Sequence, residues 1–423
     1  MNIAYNTICY PLNRRENVGK SQEDRKVQLS KRALAVQGSV TLQIDTKAKE
    51  MKAHGIDVVS FGAGEPDFPT PLNIRKAAVA AMEAGKTVYT PVPGEEVLRK
   101  AICEKLEKDN GLVYAPQDIV VSNGAKHALF NCLQVLIDPG DEVLIPSPCW
   151  VSYPELTKMA GGIPVFVPGR EENGFKVTAE EIRGFITPRT KALILNSPNN
   201  PNGYVYTREE LAGIAELAVE TPFYVISDEI YEFIIYDDAQ HVSIASLGDK
   251  IKEQTIVVNG VSKTYAMTGW RIGYTASTRQ IASVISRFQS QATSNANSIA
   301  QHASVEALRG PHMERDAMVA EFAKRRKHII TRISNIPPLS AVEPKGAFYV
   351  MMKVSGLYGK KYQDREITDS MSLADLLLTY AHVALVPGKA FDAPEFCRLS
   401  YATSIENIDK GLDRIRDFVA ALR

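Results

Sequence analysis

Residues 191–229, KALILNSPNNPNGYVYTREELAGIAELAVETPFYVISDE, contain two short apolar runs on either side of a helical repeat. The runs ALIL and FYVI are continuous and bulky, which is typical of strands buried on both faces of a sheet. Between them, residues 208–220 place apolar side chains every three or four positions, as an amphipathic helix does. A strand, a helix and a second strand in this order predict a parallel sheet wrapped by helices.

The same alternation continues on the N-terminal side of this unit. DIVVSNG at 118–124 precedes the helical repeat AKHALFNCLQVLI, and DEVLIPSP at 141–148 precedes SYPELTKMAG. The sequence therefore predicts an α/β fold with a mostly parallel sheet. Ligands of such sheets bind beyond the carboxyl ends of the strands, so functional residues are expected just after each apolar run.

The composition narrows the classes of function. With 423 residues the chain is too long for one ordinary core, and we expect one large and one smaller domain. The 49 Lys and Arg residues balance the 49 Asp and Glu residues, which removes the electrostatic argument for a nucleic acid or an anionic membrane. No apolar run approaches the roughly 20 residues of a membrane span. A small-molecule partner fits this balance better.

The cysteines and the first residues bear on localisation. The five cysteines form no CxxC pair, so neither a disulfide framework nor a zinc site is expected, and the protein is predicted to be cytoplasmic. The first thirty or so residues are polar and mixed in charge, and they resemble neither a signal peptide nor a transit peptide. We expect them to form an N-terminal extension.

The first candidate for ligand binding is SNGAK at 122–126, between a predicted strand and a predicted helix. Gly124 and Ala125 would leave backbone N–H groups free at the start of the helix, where the helix dipole favours a phosphate or a similar anion. An Asn-Gly pair before a helix is, however, more often only a turn.

The second and third candidates follow the two predicted strands of residues 191–229. Asn200 lies among prolines that hold the chain extended, which makes it a candidate donor to a ligand oxygen; a rigid surface loop is the alternative. Asp228 ends the second run, where a buried carboxylate is costly unless it meets a cation or a strong donor. A helix N-cap is the competing interpretation of Asp228. Tyr231 lies one turn further on and is expected to face the same ligand.

The fourth candidate is VSKTYAMTGWRIGY at 261–274, which follows the β-branched run TIVVNG. Lys263 is followed by no other charge until Arg271, and hydroxyl, aromatic and glycine residues surround it. This setting indicates a crowded pocket in which a partly desolvated amine is reactive. A surface lysine with a buried stem is the commoner alternative. Ser262 and Arg271 add a hydroxyl and a second cation for an anion.

Together these four segments predict one ligand, pyridoxal 5'-phosphate (PLP). PLP carries a phosphate, an aldehyde that condenses with a lysine, a ring nitrogen that pairs with a carboxylate, and a phenolic oxygen that accepts hydrogen bonds. Trp150, in PSPCWVSYPE after another apolar run, is a candidate to stack on the ring. An ordinary core aromatic is the alternative for Trp150.

Longer motifs then identify a family. They are GAGEPDFPTP at 62–71, YTPVPG at 89–94, PGDEVLIPSPCWVSYPE at 139–155, NSPNNPNG at 196–203, SDEIYE at 227–232, VNGVSKTYAMTGWRIGY at 258–274, KGAFYV at 345–350 and CRLSYATS at 397–404. Across roughly residues 32–420 the chain resembles the fold type I PLP-dependent aminotransferases of class I/II, and among them the aspartate aminotransferase subgroup Ib. One departure is Asn202, where close relatives often have Thr.

The resemblance implies an architecture. The expected large PLP-binding domain, residues 74–308, has a mostly parallel seven-stranded sheet flanked by helices. The expected small α/β domain joins residues 32–73 to 309–423, and residues 1–31 are the extension. Because the family builds its active site at a subunit interface, a homodimer is also expected.

The resemblance also implies residue roles. Lys263 would be the Schiff-base lysine and general acid/base, Asp228 the partner of the ring nitrogen, and Asn200 and Tyr231 the partners of the phenolic oxygen. The expected phosphate contacts are Gly124, Ala125, Lys126, Ser262, Arg271 and, from a neighbouring subunit, Tyr89.

On the substrate side, Arg398 would clamp the α-carboxylate through a bidentate pair, and Gly64, Trp150 and Asn200 would line the same pocket. Lys126 is expected to face the distal carboxylate of aspartate or glutamate. The expected reaction is ping-pong transfer of the amino group from L-aspartate to 2-oxoglutarate.

Three alternatives stay open. Thr41 with Lys126 resembles the pairing in family members that aminate prephenate. A broad-specificity aromatic aminotransferase, or another fold type I reaction such as β-elimination, is a second enzyme class. A PLP-binding regulatory domain is the non-enzymatic alternative, and it is disfavoured because the first thirty residues are too few for a DNA-binding module.

Overall fold

The computed structural model describes residues 29–38 and 40–423. Residues 1–28 of the predicted extension lie outside the described residues. The strands, in chain order, are β1 (Val59–Ser60), β2 (Ile119–Ser122), β3 (Glu142–Ser147), β4 (Ile163–Pro168), β5 (Thr190–Asn196), β6 (Tyr224–Asp228), β7 (Thr255–Gly260), β8 (Gly273–Ala276), β9 (Ser340–Ala341), β10 (Tyr349–Lys353), β11 (Lys361–Tyr362), β12 (Arg365–Glu366), β13 (Val383–Ala384), β14 (Val386–Pro387) and β15 (Phe396–Ser400).

Helices flank the central sheet and also occur in the C-terminal third of the chain. They are α1 (Lys31–Leu34), α2 (Val40–Ala53), α3 (Leu72–Glu83), α4 (Glu96–Asn110), α5 (Ala125–Leu136), α6 (Ser152–Met159), α7 (Ala179–Arg183), α8 (Arg208–Glu220), α9 (Asp249–Gln254), α10 (Arg279–Ala292), α11 (Ser298–Arg309), α12 (Met313–Ser334), α13 (Ser370–Leu376) and α14 (Ile405–Ala420).

The central sheet has seven strands in the order β2-β8-β7-β6-β5-β3-β4. All neighbouring pairs are parallel except those of β8, which runs antiparallel to β2 and to β7. The predicted fold class, an α/β fold with a mostly parallel seven-stranded sheet, is therefore confirmed.

The apolar runs are continuous because the central strands are buried on both faces. In β5, Ile194 packs into one apolar cluster, whereas Leu193 and Leu195 pack into another on the opposite face. In β6, Ile226 and Val225 divide in the same way. The alternation of side chains along a strand thus places every residue of these runs in a core.

A second sheet lies in the C-terminal third of the chain, with the order β14-β15-β10-β9 and antiparallel pairing. The short strand β1 pairs in parallel with β13, so the segment before α3 is hydrogen-bonded to this C-terminal part. This pairing favours a small domain built from residues 32–73 and 309–423, and the division of the chain at those boundaries stays a prediction.

The strand order determines where the functional residues meet. Asn196 at the end of β5 is the register partner of Asp228 at the end of β6, and Asp228 in turn lies beside Val258 of β7. The chain segments that leave β5, β6 and β7 therefore emerge side by side at one edge of the sheet. Among the described residues, no helix has both the length and the apolar character needed to cross a membrane.

The sheet core gives a test of the fold. Ile194 is 2% exposed and Ile163, on the edge strand β4, is 43% exposed. Ile194→Ala is expected to lower the free energy of unfolding by about 2–5 kcal/mol because it leaves a cavity in close-packed surroundings. Ile163→Ala removes the same atoms from a half-exposed site and is expected to cost less than about 1 kcal/mol. Urea denaturation of both variants checks this, and equal losses would contradict the core assignment.

Candidate active site

A cavity of about 680 Å³ opens beyond the carboxyl ends of the central strands. It is bordered by the central sheet, by the loop after β1, by α2 and by β15. Of the residues singled out in the sequence, it brings together Thr41, Gly64, Ala125, Lys126, Trp150, Asn200, Asp228, Tyr231, Ser262, Lys263, Arg271 and Arg398.

Two predicted residues do not line the cavity. Gly124 lies just behind its wall, where a Cβ atom would come within 2.2 Å of Arg271 Nη2. Tyr89 is 91% exposed, so within this chain its side chain makes no part of the cavity. An exposed position is where a residue that serves a neighbouring subunit would lie, and this role of Tyr89 stays a prediction.

Lys263 lies in the turn that follows β7. Its Nζ donates a hydrogen bond to the Gly64 carbonyl oxygen at 2.5 Å and lies 5.9 Å from the centre of the Tyr231 ring. Burial, helped by the nearby cations Arg271 and Arg398, lowers the pKa of this amine to about 8 against the opposing charges of Glu65 and Asp228. Near neutral pH a minor fraction of the Lys263 amine is therefore uncharged, and the uncharged amine is the nucleophile.

Asp228 ends β6 and is 3% exposed. Its Oδ2 accepts a hydrogen bond from Tyr153 Oη at 2.7 Å, and its Oδ1 accepts one from the Ile230 N–H at 3.3 Å. No Lys, Arg or His of the described residues forms an ion pair with it. Burial, with a contribution from the charge of Glu229, raises the pKa of Asp228 to about 6. A buried carboxylate in this state is suited to a cationic ligand.

The start of α5 forms an anion-binding end of the cavity. Gly124 precedes the helix with φ of 83°, a conformation that favours glycine, and leaves the first N–H groups of α5 directed outward. The Arg271 guanidinium packs against this turn and donates hydrogen bonds to the carbonyl oxygens of Thr268 at 2.9 Å and Asn123 at 3.4 Å. Ser262 is 5% exposed, and within the part of the chain that is described its Oγ has no partner.

Arg398 lies on β15 and is 2% exposed. Nη1 donates to Asn200 Oδ1 and Nη2 to the Gly62 carbonyl oxygen, both at 3.0 Å, while Nε has no partner among residues 29–38 and 40–423. The guanidinium stacks on Tyr349 and Phe391, with 4.4 and 5.0 Å to the ring centres. No carboxylate of the described residues neutralises it. A buried arginine with free donors is a site for a ligand carboxylate.

Lys126 and Trp150 form another wall. Lys126 Nζ lies 4.8 Å from the centre of the Trp150 ring, and the Trp150 ring contacts Tyr153 edge-on at 5.4 Å. Burial, together with Arg271, lowers the pKa of Lys126. Thr41, on α2, faces the same cavity. Lys126, Trp150 and Thr41 all line the cavity, and the contact of Lys126 with a distal carboxylate of the substrate stays a prediction.

The residues present fit PLP. The α5 turn with the unpaired Ser262 hydroxyl and Arg271 suits a phosphate, Asp228 suits a protonated ring nitrogen, and Lys263 is the amine that an aldehyde requires. Tyr231 is 4% exposed and its Oη lies 3.0 Å from Tyr349 Oη, from which it can accept a hydrogen bond while keeping its own proton for the predicted contact with the phenolic oxygen.

Three residues of the site were not singled out in the sequence. Tyr153 holds Asp228, Tyr349 holds Tyr231 and stacks on Arg398, and Asn196 donates to the Asp228 carbonyl oxygen at 2.9 Å while accepting from the Asn200 N–H at 2.9 Å. Asn196 follows a predicted strand and had the same signal as Asn200. Tyr153 and Tyr349 carried no local signal because their partners are 75 and 118 positions away.

Comparisons with known proteins agree with this geometry. Residues 56–415 match the family model described as aminotransferase class I and II. The aspartate aminotransferase of Bacillus sp. (strain YM-2) is 47% identical over 391 residues, which are 92% of this chain and 99% of that protein. The probable aspartate/prephenate aminotransferase of Aquifex aeolicus is 47% identical over 390 residues, 92% of this chain and 98% of that protein.

A solved structure shows the same fold. The crystal structure of the aspartate aminotransferase of Rhizobium meliloti superimposes with a TM-score of 0.91 at 40% identity, covering 94% of this chain and all of that chain. The sequence-based predictions of the family, of the enzyme class and of the cofactor are thereby confirmed. The chain belongs to the aminotransferase class I and II family, as a PLP-dependent transaminase of fold type I.

Proposed function

We propose that this enzyme transfers the amino group of L-aspartate to 2-oxoglutarate, giving oxaloacetate and L-glutamate. The observation that carries the proposal concerns the basic residues of the cavity. Besides Arg271 at the anion-binding end and two lysines of α2, the cavity is lined by Lys126, Lys263 and Arg398, and none of these three is paired with a carboxylate among the described residues. One of them suits the reactive amine and two remain for the two carboxylates of a dicarboxylic acid. The names of the relatives from Bacillus and Rhizobium support the same substrate.

Arg398 is the proposed clamp for the α-carboxylate. Its position is defined by Asn200, Gly62 and two aromatic rings, so the guanidinium needs little reorganisation when an acid binds. Its unpaired Nε and the remaining N–H groups are donors in a water-poor setting, where a charge-assisted hydrogen bond is strong. Lys126 is the proposed partner of the distal carboxylate.

Lys263 is the proposed acid/base. Bound PLP supplies an aldehyde that takes up the amino group and a ring that accepts electrons from the substrate's α-carbon. The chain's part is to hold and move protons: Nζ of Lys263, with a pKa near 8, can accept the α-proton and return it. Asp228 keeps a positive charge at the ring nitrogen, and Tyr153 fixes the orientation of that carboxylate.

A second candidate acceptor is prephenate. Thr41 and Lys126 line the same cavity, as the alternative requires, and the Aquifex relative is named a probable aspartate/prephenate aminotransferase. Prephenate carries two carboxylates, so the cations proposed for aspartate would serve it as well. We treat it as an additional acceptor of the same site.

We also propose a homodimer, a movable small domain and a cytoplasmic location. Tyr89 is 91% exposed, and three apolar residues near it in sequence are also exposed, Val88 to 73% and Leu72 and Met82 to 48% each. Exposed apolar side chains of this kind support a surface that a second subunit covers and from which Tyr89 reaches the partner's cavity. The small domain, residues 32–73 and 309–423, would close with Arg398 on the substrate. Cys103, Cys132, Cys149 and Cys397 are free thiols, which supports a reducing compartment.

The primary test is turnover of L-aspartate with 2-oxoglutarate by the PLP-loaded protein. Lys263→Ala is expected to lower kcat by about 10²–10⁴-fold because the proton carrier is lost. Lys250→Ala, on the exposed face of α9, is the matched control and is expected to keep full activity. Borohydride reduction followed by peptide mapping should place the pyridoxyl group on Lys263. A label on another lysine, or no turnover by the wild type, would refute the proposal.

Specificity is tested by Lys126→Ala with several donors and acceptors. Loss of one charge-assisted hydrogen bond is expected to lower kcat/KM for aspartate by about 10–100-fold, while kcat/KM for tyrosine changes little. The acceptors are 2-oxoglutarate, oxaloacetate and prephenate. Equal losses for aspartate and tyrosine would remove Lys126 from substrate recognition, and no product with prephenate would eliminate the second candidate.

The shared site is tested with hybrid dimers. Lys263→Ala and Tyr89→Ala homodimers are both expected to be impaired, whereas a hybrid of the two contains one cavity with Lys263 from one subunit and Tyr89 from the other. Each hybrid dimer is expected to have up to about half of the wild-type activity, and a randomly reassociated mixture, in which about half of the dimers are hybrids, up to about a quarter. No recovery in isolated hybrids would place Tyr89 outside the partner's cavity.

A further inference from the structure

Glu229 is a buried acid directly behind the cavity. It follows Asp228 in the chain and is 1% exposed, yet it does not line the cavity. Its N–H donates to the Val258 carbonyl oxygen at 2.9 Å, which ties this residue to β7. Since neighbouring side chains of an extended segment point to opposite faces, the two carboxylates lie on either side of the sheet.

The Glu229 carboxylate is held by three side chains. Oε1 accepts hydrogen bonds from Ser227 Oγ at 2.8 Å and from Ser243 Oγ at 2.6 Å, and Oε2 lies 3.2 Å from His241 Nε2. No Lys or Arg of the described residues pairs with Glu229. Two neutral donors and one histidine therefore stabilise this carboxylate without a permanent positive charge opposite it.

Other charged groups surround this cluster. Glu232 comes close to Glu229 and His241, and its own carboxylate is bound by Lys105 Nζ at 2.5 Å, from α4. The Tyr114 hydroxyl is buried, and after burial the charge of Glu229 is the next cause that raises its pKa. Lys252 of α9 lies 4.7 Å from the centre of the Tyr114 ring.

The cluster is not arranged as a metal centre. Glu229, Glu232 and His241 offer ligand atoms within 4.8 Å of one another. The Glu232 carboxylate, however, is occupied by Lys105 and by the amides of Asn110 at 3.0 Å and Asn259 at 2.6 Å. A cation would have to displace an ammonium group that already neutralises this acid, so the network is explained by charge compensation within the protein.

The negative charge of Glu229 acts electrostatically on its chain neighbour Asp228. After burial, which is the largest cause, Glu229 is the group that raises the pKa of Asp228, while Tyr153, the Ile230 N–H and Lys263 oppose the rise. A second negative charge behind a carboxylate strengthens the attraction of that carboxylate for a proton or a cation in front of it. The pair Asp228 and Glu229 therefore presents more negative potential to the cavity than Asp228 alone.

We propose that Glu229, oriented by Ser227, Ser243 and His241, is a positioning residue that sets the electrostatic potential at Asp228 and so keeps the ring nitrogen of bound PLP protonated. Glu229 touches neither substrate nor cofactor and acts only through Asp228. This role rests on that of Asp228 in the proposed function. It adds that Glu229 supplies part of the negative potential at Asp228.

The test compares two ligands that differ at one atom. Apoprotein of Glu229→Gln is titrated with PLP and with the PLP analogue in which carbon replaces the ring nitrogen. If Glu229 acts through that nitrogen, the affinity for PLP relative to the analogue falls by about tenfold, which corresponds to a change of one pKa unit. The pH at which the absorbance of bound PLP changes is expected to move as well. Equal losses for both ligands indicate a merely structural role and overturn the proposal.

Control variants separate charge from packing. Glu142→Gln removes another buried carboxylate, at the start of β3 and bound to Thr187 and Arg189, and is expected to leave the affinity ratio unchanged. Glu229→Asp retains the charge and should preserve the ratio. If Glu229→Gln does not fold, His241→Gln gives the second measurement: its amide can still donate a hydrogen bond to Glu229 Oε2 and cannot carry a positive charge, so the affinity ratio should be unchanged or higher. A lower ratio in His241→Gln would overturn the proposal.

The outcomes also separate this inference from the proposed function. A wild-type protein that binds PLP and converts aspartate, with an unchanged ratio in Glu229→Gln, refutes the role of Glu229 alone. A wild-type protein that binds PLP and has no activity with aspartate refutes the proposed substrate, and the affinity ratio still decides the role of Glu229.

Discussion

The burial of an acid without a protein cation is the constraint on which the site depends. Asp228 is 3% exposed, and among the described residues its carboxylate accepts hydrogen bonds only from the Tyr153 hydroxyl and a backbone N–H. Removing a carboxylate from water without a counter-ion is costly, and the cost is recovered when a positively charged ligand group arrives. The free protein is thereby less stable at this point than the loaded one, so cofactor binding is linked to folding stability.

Arg398 presents the opposite case in the same cavity. This buried cation is supported by an amide, a carbonyl oxygen and two aromatic rings, and it lacks an anion among the described residues. The two charged groups belong to different sheets: Asp228 ends a strand of the central sheet, and Arg398 lies on a strand of the smaller one. A ligand that bridges them, with a cation toward one and an anion toward the other, completes both.

The fold and much of the cavity were predictable from local patterns. Continuous apolar runs identified the parallel strands, and the rule that ligands lie beyond their carboxyl ends led to Asn200, Asp228 and Lys263, all of which line the cavity. Their individual roles stay predictions. Local patterns did not predict Tyr153 or the Glu229 cluster. Tyr153 donates to Asp228 from 75 positions away, and Ser243 donates to Glu229 from 14 positions away, so both contacts depend on strand order and on the path of the loops. Tyr89 carried no chemical signal beyond the family motif.

The hydrogen bond between Arg398 and the Gly62 carbonyl oxygen spans 336 positions of the chain. During synthesis on the ribosome, the early segment with Gly62 and the whole central sheet emerge long before β15. Lys263 and Asp228 are therefore synthesised before the guanidinium of Arg398. Under the proposed function, recognition of the substrate α-carboxylate requires a chain that has been translated at least to β15.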